Sequence, residues 1–297
     1  MTQAQLNGLF RPDYVRPETG RTPIKIGQPN AAILTWSEGP LTTITDARPL
    51  QAAAASEAAF FAEHGFVLLS QKSAVTDWAT DQSNPSPDSD VARHYLPEVE
   101  AMIRERLLPG VAMNVFQRPA LIRRGPGGEG YGPAVHQDFG LVADDYQDGV
   151  GAYAGPEIAA RWRGGYDRPE VAGFMVIDFW RPVGMAEPLR HMPLAVCDPA
   201  SVDFDDIVPS SLIEFSPTGR PTNQMSLRAN LAQRWYYYPD MTADEVLCFK
   251  LFHCEKADAA PSLRTCFHTA FIDPATPADA EPRSSCEHRV GVFLLRA

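Results

Sequence analysis

Basic residues are scarce: Lys and Arg number 26 against 37 Asp and Glu, giving a formal net charge of -11 over 297 residues. Gripping a phosphate backbone needs clustered Lys and Arg, so a nucleic-acid partner is excluded, and an anionic membrane surface is disfavoured on the same ground. No apolar run approaches the ~18–20 residues of a membrane-spanning helix. The opening MTQAQLNGLFRPDYVRPETG has no basic segment followed by an apolar core, so no secretory leader is expected and a cytoplasmic location is. The five cysteines (Cys197, Cys248, Cys254, Cys266 and Cys286) form no CxxC pair. A zinc ribbon and a dithiol redox pair are thereby excluded, and reduced, buried thiols are expected. There is no internal repeat and no alternating βαβ rhythm, which argues against solenoids and a Rossmann sheet.

What is present is ample apolar material: 44% of the chain is hydrophobic and 10% of the chain is aromatic, enough to bury one large core. We expect a single domain over 1–297, with residues 1–47, rich in Pro, Gly and Thr, as an arm wrapping it. Within the arm, ILTW (33–36) and LTTI (41–44) read as short strands. RPLQAAAASEAAFFAEHGF (48–66) reads as one amphipathic helix closed by the His64-Gly65 signal. FVLLS (66–70) reads as a strand, and residues 73–93 hold a polar, Pro-containing loop. A second helix is expected from Pro97 to Leu108. After it strands dominate: 111–117, 172–180, 245–252, 265–271 and 289–296 are all rich in β-branched and aromatic residues. Helices first and many strands after favour a mainly β fold with flanking helices, an antiparallel sandwich or jelly roll.

The chemistry concentrates in GPAVHQDFG (132–140). His136 and Asp138 are two apart, and on a strand such residues share a face. An imidazole and a carboxylate converging there suit Fe(II), for which two His and one carboxylate leave coordination positions open for oxygen chemistry. Of the seven histidines, His64, His94 and His191 read as helix-end or loop residues. His253 and His288 are possible third ligands beside charged neighbours. His268, in the strand-like RTCFHTAFIDP, is the better candidate. Fifteen residues beyond it stand Arg283 and Ser285, whose i, i+2 spacing offers a guanidinium fork and a hydroxyl to one carboxylate.

HxD, a distal His and RxS together resemble the pattern of the Fe(II)/2-oxoglutarate-dependent oxygenases. More narrowly, the chain resembles the family that includes the cephamycin 7α-hydroxylase component, aspergillic-acid-type hydroxylase/desaturases and the novofumigatonin endoperoxidase. The resemblance rests on ARHYLPEVEAMI (92–103), VHQDFG (135–140), DFWRPVGMAEPLRHMPLAVCDPASV (178–202), QRWYYYPDMTADEVLCFKLF (233–252), FHTAFIDP (267–274) and EPRSSCEHRV (281–290). It implies a double-stranded β-helix, iron held by His136, Asp138 and His268, O2, and 2-oxoglutarate anchored by Arg283 and Ser285. Arg181, a charge beside Trp180, joins the expected cofactor-binding set. Two departures bear on substrate identity: LFHCE (251–255) stands where relatives carry a more polar turn, and Asp178 where they carry Asn.

The expected reaction is hydroxylation, desaturation or cyclisation of a small metabolite, with release of succinate and CO2. Two rival classes stay open: a cupin-like metal enzyme independent of 2-oxoglutarate, and a non-catalytic partner of a biosynthetic enzyme. A homodimer is also left open. The glycine-rich RRGPGGEGYGP (123–133) reads equally as a lid over the iron or as an ordinary hairpin.

Overall fold

The computed structural model describes residues 1–81, 84–132 and 134–296. The parts of the predicted loops that fall on residues 82, 83 and 133 lie outside the described residues. In chain order the strands are β1 (Thr2–Gln5), β2 (Thr22–Ile24), β3 (Leu41–Asp46), β4 (Phe66–Ser70), β5 (Met113–Phe116), β6 (Ile122–Arg124), β7 (Gln137–Asp138) and β8 (Val171–Pro182). They continue with β9 (Leu194–Cys197), β10 (Ile207–Leu212), β11 (Thr222–Leu227), β12 (Trp235–Tyr237), β13 (Glu245–Glu255), β14 (His268–Ala270) and β15 (Ser285–Leu295).

The longest strands form one antiparallel sheet in the order β4-β13-β8-β15-β5, with β6 also paired to β15. Its central strands are buried on both faces, which is why VAGFMVIDFWRP and EVLCFKLFHCE read as near-continuous apolar runs rather than as alternation. The remaining strands form the ladders β1-β3-β12-β9-β14 and β2-β10-β11-β7. One bridge, His136 to His268, fastens β14 to the start of β7 and so joins the two ladders edge to edge. Two sheets with crossed connections are the double-stranded β-helix that the sequence implied.

β13 carries a bulge. Lys250 pairs with Ile177 and Phe252 with Val176, which leaves Leu251 out of the ladder. Its carbonyl accepts a hydrogen bond from Nε2 of buried Gln137 at 2.8 Å, tying the strand between His136 and Asp138 to the opposite sheet.

The single helix expected over 48–66 is broken in two. α1 (Arg48–Ala52) and α2 (Glu57–His64) are separated where the Ser56 hydroxyl accepts from Ala59 N–H and starts a new helix. Gly65, in the left-handed conformation at φ 76°, ends α2 as the sequence indicated. The second helical run begins before Pro97: it extends from Val91 to Leu107 around α3 (Leu96–Ala101). Phe60, Phe61, Tyr95, Val99 and Ile103 from these helices pack against Ile177, Phe179, Cys248 and Val290, covering the outer face of the large sheet.

α4 (Ala143–Ala154) and α5 (Pro156–Tyr166) were not expected. Gly149, Gly151, Gly164 and Gly165 depress the helical signal there, and tertiary packing overrides it. Tyr146 and Trp162 of this hairpin plug one end of the inter-sheet space against Phe174, Phe252 and Phe293.

The arm contributes strands to both ladders and fully buries Leu6, Phe10 and Ile44. ILTW is irregular and not a strand, with only Ile33 bridged to Phe10 and Trp36 entering a turn. All five cysteines are free and buried.

Two buried histidines outside the candidate site shape stability against acid. Burial, with Lys250 and Arg264 beside it, lowers His253 to about 3. Burial lowers His288 to about 4, where its ring meets Gln117 and the Ala120 carbonyl. Between those values and the ordinary value near 6.5 the unfolded chain binds more protons than the folded one. Stability is therefore fully retained above pH ~6.5 and falls as pH drops toward ~4. Urea unfolding across this window checks it, and His288→Gln, which cannot take up a proton, is expected to flatten the slope.

Candidate metal centre

His136 and His268 are directly opposed across an antiparallel pair. His136 N–H donates to His268 O at 3.2 Å and His268 N–H to His136 O at 2.9 Å. Opposed residues project from the same face, so the two rings lie together with centroids 4.4 Å apart. Each ring is fixed from behind. Nδ1 of His136 lies 2.8 Å from Ala134 O, and Nδ1 of His268 lies 3.2 Å from Cys266 O. Those carbonyls take the Nδ1 protons and leave both Nε2 lone pairs free, the arrangement of a metal-binding imidazole. Among the described residues neither Nε2 has a hydrogen-bond partner.

Asp138 follows two residues after His136, and its Oδ1 lies 3.9 Å from His136 Nε2. One ligand atom from each of His136, Asp138 and His268 falls within 4.8 Å of the others. Shifts of about an ångström bring such a set onto one ion at ~2.1 Å. The second oxygen, Oδ2, is buried and lies 3.1 Å from Arg289 Nη2 without hydrogen-bond alignment. Burial alone raises the Asp138 pKa, but Arg289, His136, His268 and Arg124 outweigh it and hold the carboxylate below its ordinary value. Burial, reinforced by His136, lowers His268 to about 3. An anionic Asp138 beside an uncharged His268 is the state a divalent cation requires. His268 is buried, whereas His136 keeps 24% of its side chain exposed, so the centre opens to solvent on the His136 side.

The donor set fits iron. Two imidazole nitrogens and one carboxylate oxygen on one side of an ion leave the remaining positions for an exogenous chelate and O2.

Along β15, Ser285, Glu287 and Arg289 alternate onto the face that Arg289 shows to Asp138. Arg283 continues the row. Arg289 and Arg124 both have carboxylate partners: Asp138 and Glu287 for the first, Glu287 and Glu129 for the second. Arg283 has none among the described residues. It is 2% exposed, donates to Met192 O, and lies between the rings of Tyr131 at 4.3 Å and Trp180 at 5.5 Å. Its Nε has no partner, and burial lowers its pKa to about 10. Ser285 is fully buried with its hydroxyl likewise unpartnered. A desolvated cation and a hydroxyl, both unsatisfied and two residues apart, call for an anionic ligand.

Arg181 is elsewhere. It stands one residue out of phase with Trp180 and opposite Cys286, on the sheet's outer face. There it donates to Gln71 O and Ala243 O and stacks on Trp78 and Tyr95. The buried charge does have specific partners, but they are backbone carbonyls and aromatic rings under the helices, so Arg181 is removed from the cofactor set. His253 and His288 also lie away from the centre, and His191 packs on Tyr131 and accepts from Arg283 N–H.

The glycine-rich segment is a docked turn. Gly125 N–H bonds Glu129 O and Glu129 N–H bonds Arg123 O. Gly125 takes φ 107°, and a Cβ there would stand 2.0 Å from Arg283 O. Only glycine permits that approach, which lets Tyr131 stack on Arg283 and donate to its carbonyl at 3.0 Å.

Of the polar row facing the ligands, sequence reading missed Arg124 and Glu287, and singled out Asp178 only as a departure bearing on substrate identity. The signal was faint but present, since Glu287 and Arg289 continue the i, i+2 phase of Arg283 and Ser285 into an otherwise apolar strand.

Replacing any of His136, Asp138 or His268 with Ala is expected to weaken Co(II) binding about 100-fold or more while far-UV circular dichroism stays unchanged. Titration of the Co(II) visible band is the measurement. Unchanged affinity in His268→Ala would mean the pair at 136 and 138 binds without it.

Comparison with known proteins agrees with this geometry. A family profile described as "Oxidoreductase/YMDC permease-like domain" matches residues 14–293. The Fe(II)/2-oxoglutarate-dependent dioxygenase nvfI of Aspergillus novofumigatus is 35% identical over 121 residues, 40% of this chain and 41% of that protein. The hydroxylase/desaturase efuI of Hormonema carpetanum is 32% identical, over 40% of each chain. These alignments therefore span about two-fifths of the relatives' length. The hydroxylase/desaturase poxK of Penicillium oxalicum is 25% identical over 96% of this chain and 89% of its own. In three dimensions the iron and alpha-ketoglutarate-dependent endoperoxidase NvfI superposes with a TM-score of 0.68 at 24% identity, covering 99% of both chains, which establishes a shared fold. The chain belongs to this oxidoreductase family, in the company of the Fe(II)/2-oxoglutarate-dependent dioxygenases and hydroxylase/desaturases that its own motifs implied.

Proposed function

We propose that the whole chain is one Fe(II)/2-oxoglutarate-dependent oxygenase domain that hydroxylates, desaturates or cyclises a small metabolite. The observation that carries this reading is the juxtaposition of a His–Asp–His set with a buried, carboxylate-free Arg283 on the same inner face. A metal enzyme that used no oxo acid would have no need to bury a carboxylate-free guanidinium with an unpartnered Nε beside a bare hydroxyl, an arrangement that costs free energy unless a ligand completes it.

His136, Asp138 and His268 would hold the iron. Bound there with 2-oxoglutarate and O2, it would supply the oxidising power for C–H abstraction, with succinate and CO2 released. The chain's own residues do the rest. Arg283 and Ser285 grip the distal carboxylate of 2-oxoglutarate and point its oxo-acid end at the ligands. Tyr131 and Trp180 sandwich the guanidinium and exclude water, which strengthens its pull on the carboxylate. Arg289 pairs electrostatically with Asp138 on its Oδ2 side, so Oδ1 would be the oxygen offered to the metal. The partly exposed side at His136 gives a substrate its approach, bordered by Phe139, whose ring packs 4.7 Å from Tyr146.

No helix among the described residues is long and apolar enough to cross a membrane. With five free, buried thiols, we place the protein in a reducing cytoplasm.

Turnover requires coupled loss of 2-oxoglutarate and formation of succinate in the presence of Fe(II). Arg283→Ala is expected to raise the KM for 2-oxoglutarate at least tenfold while leaving that for the primary substrate within about twofold. Steady-state kinetics with succinate quantified by mass spectrometry checks this. An unchanged KM would transfer the anchor to another arginine, and a fully active protein without 2-oxoglutarate would favour the cupin-like class.

A further inference from the structure

His136 is fixed by the backbone pair it makes with His268, but Asp138 lies beyond that bridge. Its ladder partner is Gln224 of β11, and β7, only 2 residues long, ends at Asp138 itself. Phe139 follows in the left-handed region at φ 68°, a conformation that costs free energy for any residue but glycine. A carboxylate carried on the last residue of so short a strand needs a further hold to keep its direction.

Gln137 supplies that hold. Its side chain is fully buried, and three carbonyl oxygens converge on Nε2: Leu251 O at 2.8 Å, Asp138 O at 2.6 Å and Gly140 O at 3.2 Å. Three acceptors around one atom identify that end of the amide as the NH2 group. Two of the carbonyls belong to the turn that leaves Asp138. The third is the one that the β13 bulge frees from its ladder with β8. The amide thus clips the turn to the opposite sheet. By holding the Asp138 carbonyl it also fixes the peptide plane on which the direction of that side chain depends. The other end of the amide, Oε1, is buried without a partner. A residue kept there for packing alone would not leave a polar atom unsatisfied, since an apolar side chain of the same length fills the space without that cost.

We propose that Gln137 is a positioning residue of the metal centre: by joining the turn after Asp138 to the Leu251 carbonyl, it aims the Asp138 carboxylate at the ion. The assignment rests on the reading of His136, Asp138 and His268 as the iron site. Gln137 acts through the main chain of Asp138, while His136 stays held by its own pair with His268.

The test is a Co(II) titration of the full chain, read by the visible band. Gln137→Met removes both donors at equal length. Gln137→Asn keeps them on a side chain one methylene too short to span from the turn to Leu251. Both proteins are expected to bind Co(II) about tenfold more weakly than wild type, with the band shifted toward that of Asp138→Ala. In an Asp138→Ala background, adding Gln137→Met is expected to cost less than about a further twofold, whereas in a His268→Ala background the loss of about tenfold recurs. A general loosening of the fold would weaken binding in every background alike. Unchanged affinity in Gln137→Met overturns the proposal, as does an Asn protein that binds like wild type, because the bond to Leu251 is then dispensable. A full loss in the Asp138→Ala background also overturns it. Should neither variant fold, wild-type protein with 15N-labelled glutamine decides: before any Co(II) is added, the Gln137 amide protons are expected to exchange about 100-fold or more slowly than those of an exposed glutamine, and free exchange overturns the assignment. A wild-type protein that binds Co(II) no more tightly than Asp138→Ala overturns the metal-centre reading itself, an outcome separate from any effect of the Gln137 variants.

Discussion

The reciprocal pair of backbone hydrogen bonds between His136 and His268 is the constraint on which the site rests. Residues 132 apart in the chain are set face to face by it, and two ladders become one sheet through it. Side-chain packing alone would leave the imidazoles free to swing. Here the ladder fixes their Cα atoms, the carbonyls of Ala134 and Cys266 fix their tautomers, and the only nitrogens left over point into the same space. Ligand geometry is thus inherited from main-chain geometry, which is more rigid than any rotamer choice.

The inner face of the large sheet is equally ordered in its charges. Asp138 and Glu287 are balanced by Arg289 and Arg124, whereas Arg283 has no carboxylate partner among the described residues. A divalent ion facing Asp138 adds more positive charge. A dianionic ligand held at this face would bring the interior toward neutrality. Low dielectric makes every uncompensated charge costly, so the interior selects its ligand by charge number before it selects by shape.

How far the site was legible follows from the reach of the signals. HxD, the distal His and RxS could be read because liganding needs fixed residue types at i, i+2 spacing on strands. The long strands of the large sheet could be read from β-branched and aromatic runs. Arg181 was misplaced because a buried charge beside Trp180 has no phase mark: whether a residue faces inward is set by register, and register here is fixed by pairing with Cys286 far along the chain. The break between α1 and α2 was blurred by QAAAAS, whose alanines suit a helix while Ser56 starts a new one. α4 and α5 were invisible because their glycines argue locally against the helices that tertiary contacts impose.

The bond from Gln137 to the bulged Leu251 carbonyl stitches the liganding segment to the far wall of the barrel. Thermal breathing that parted the two walls at this corner would drag residues 136–138 with it and spoil the ligand set before solvent flooded the interior. The bond therefore ties the geometry of residues 136–138 to the integrity of the opposite sheet.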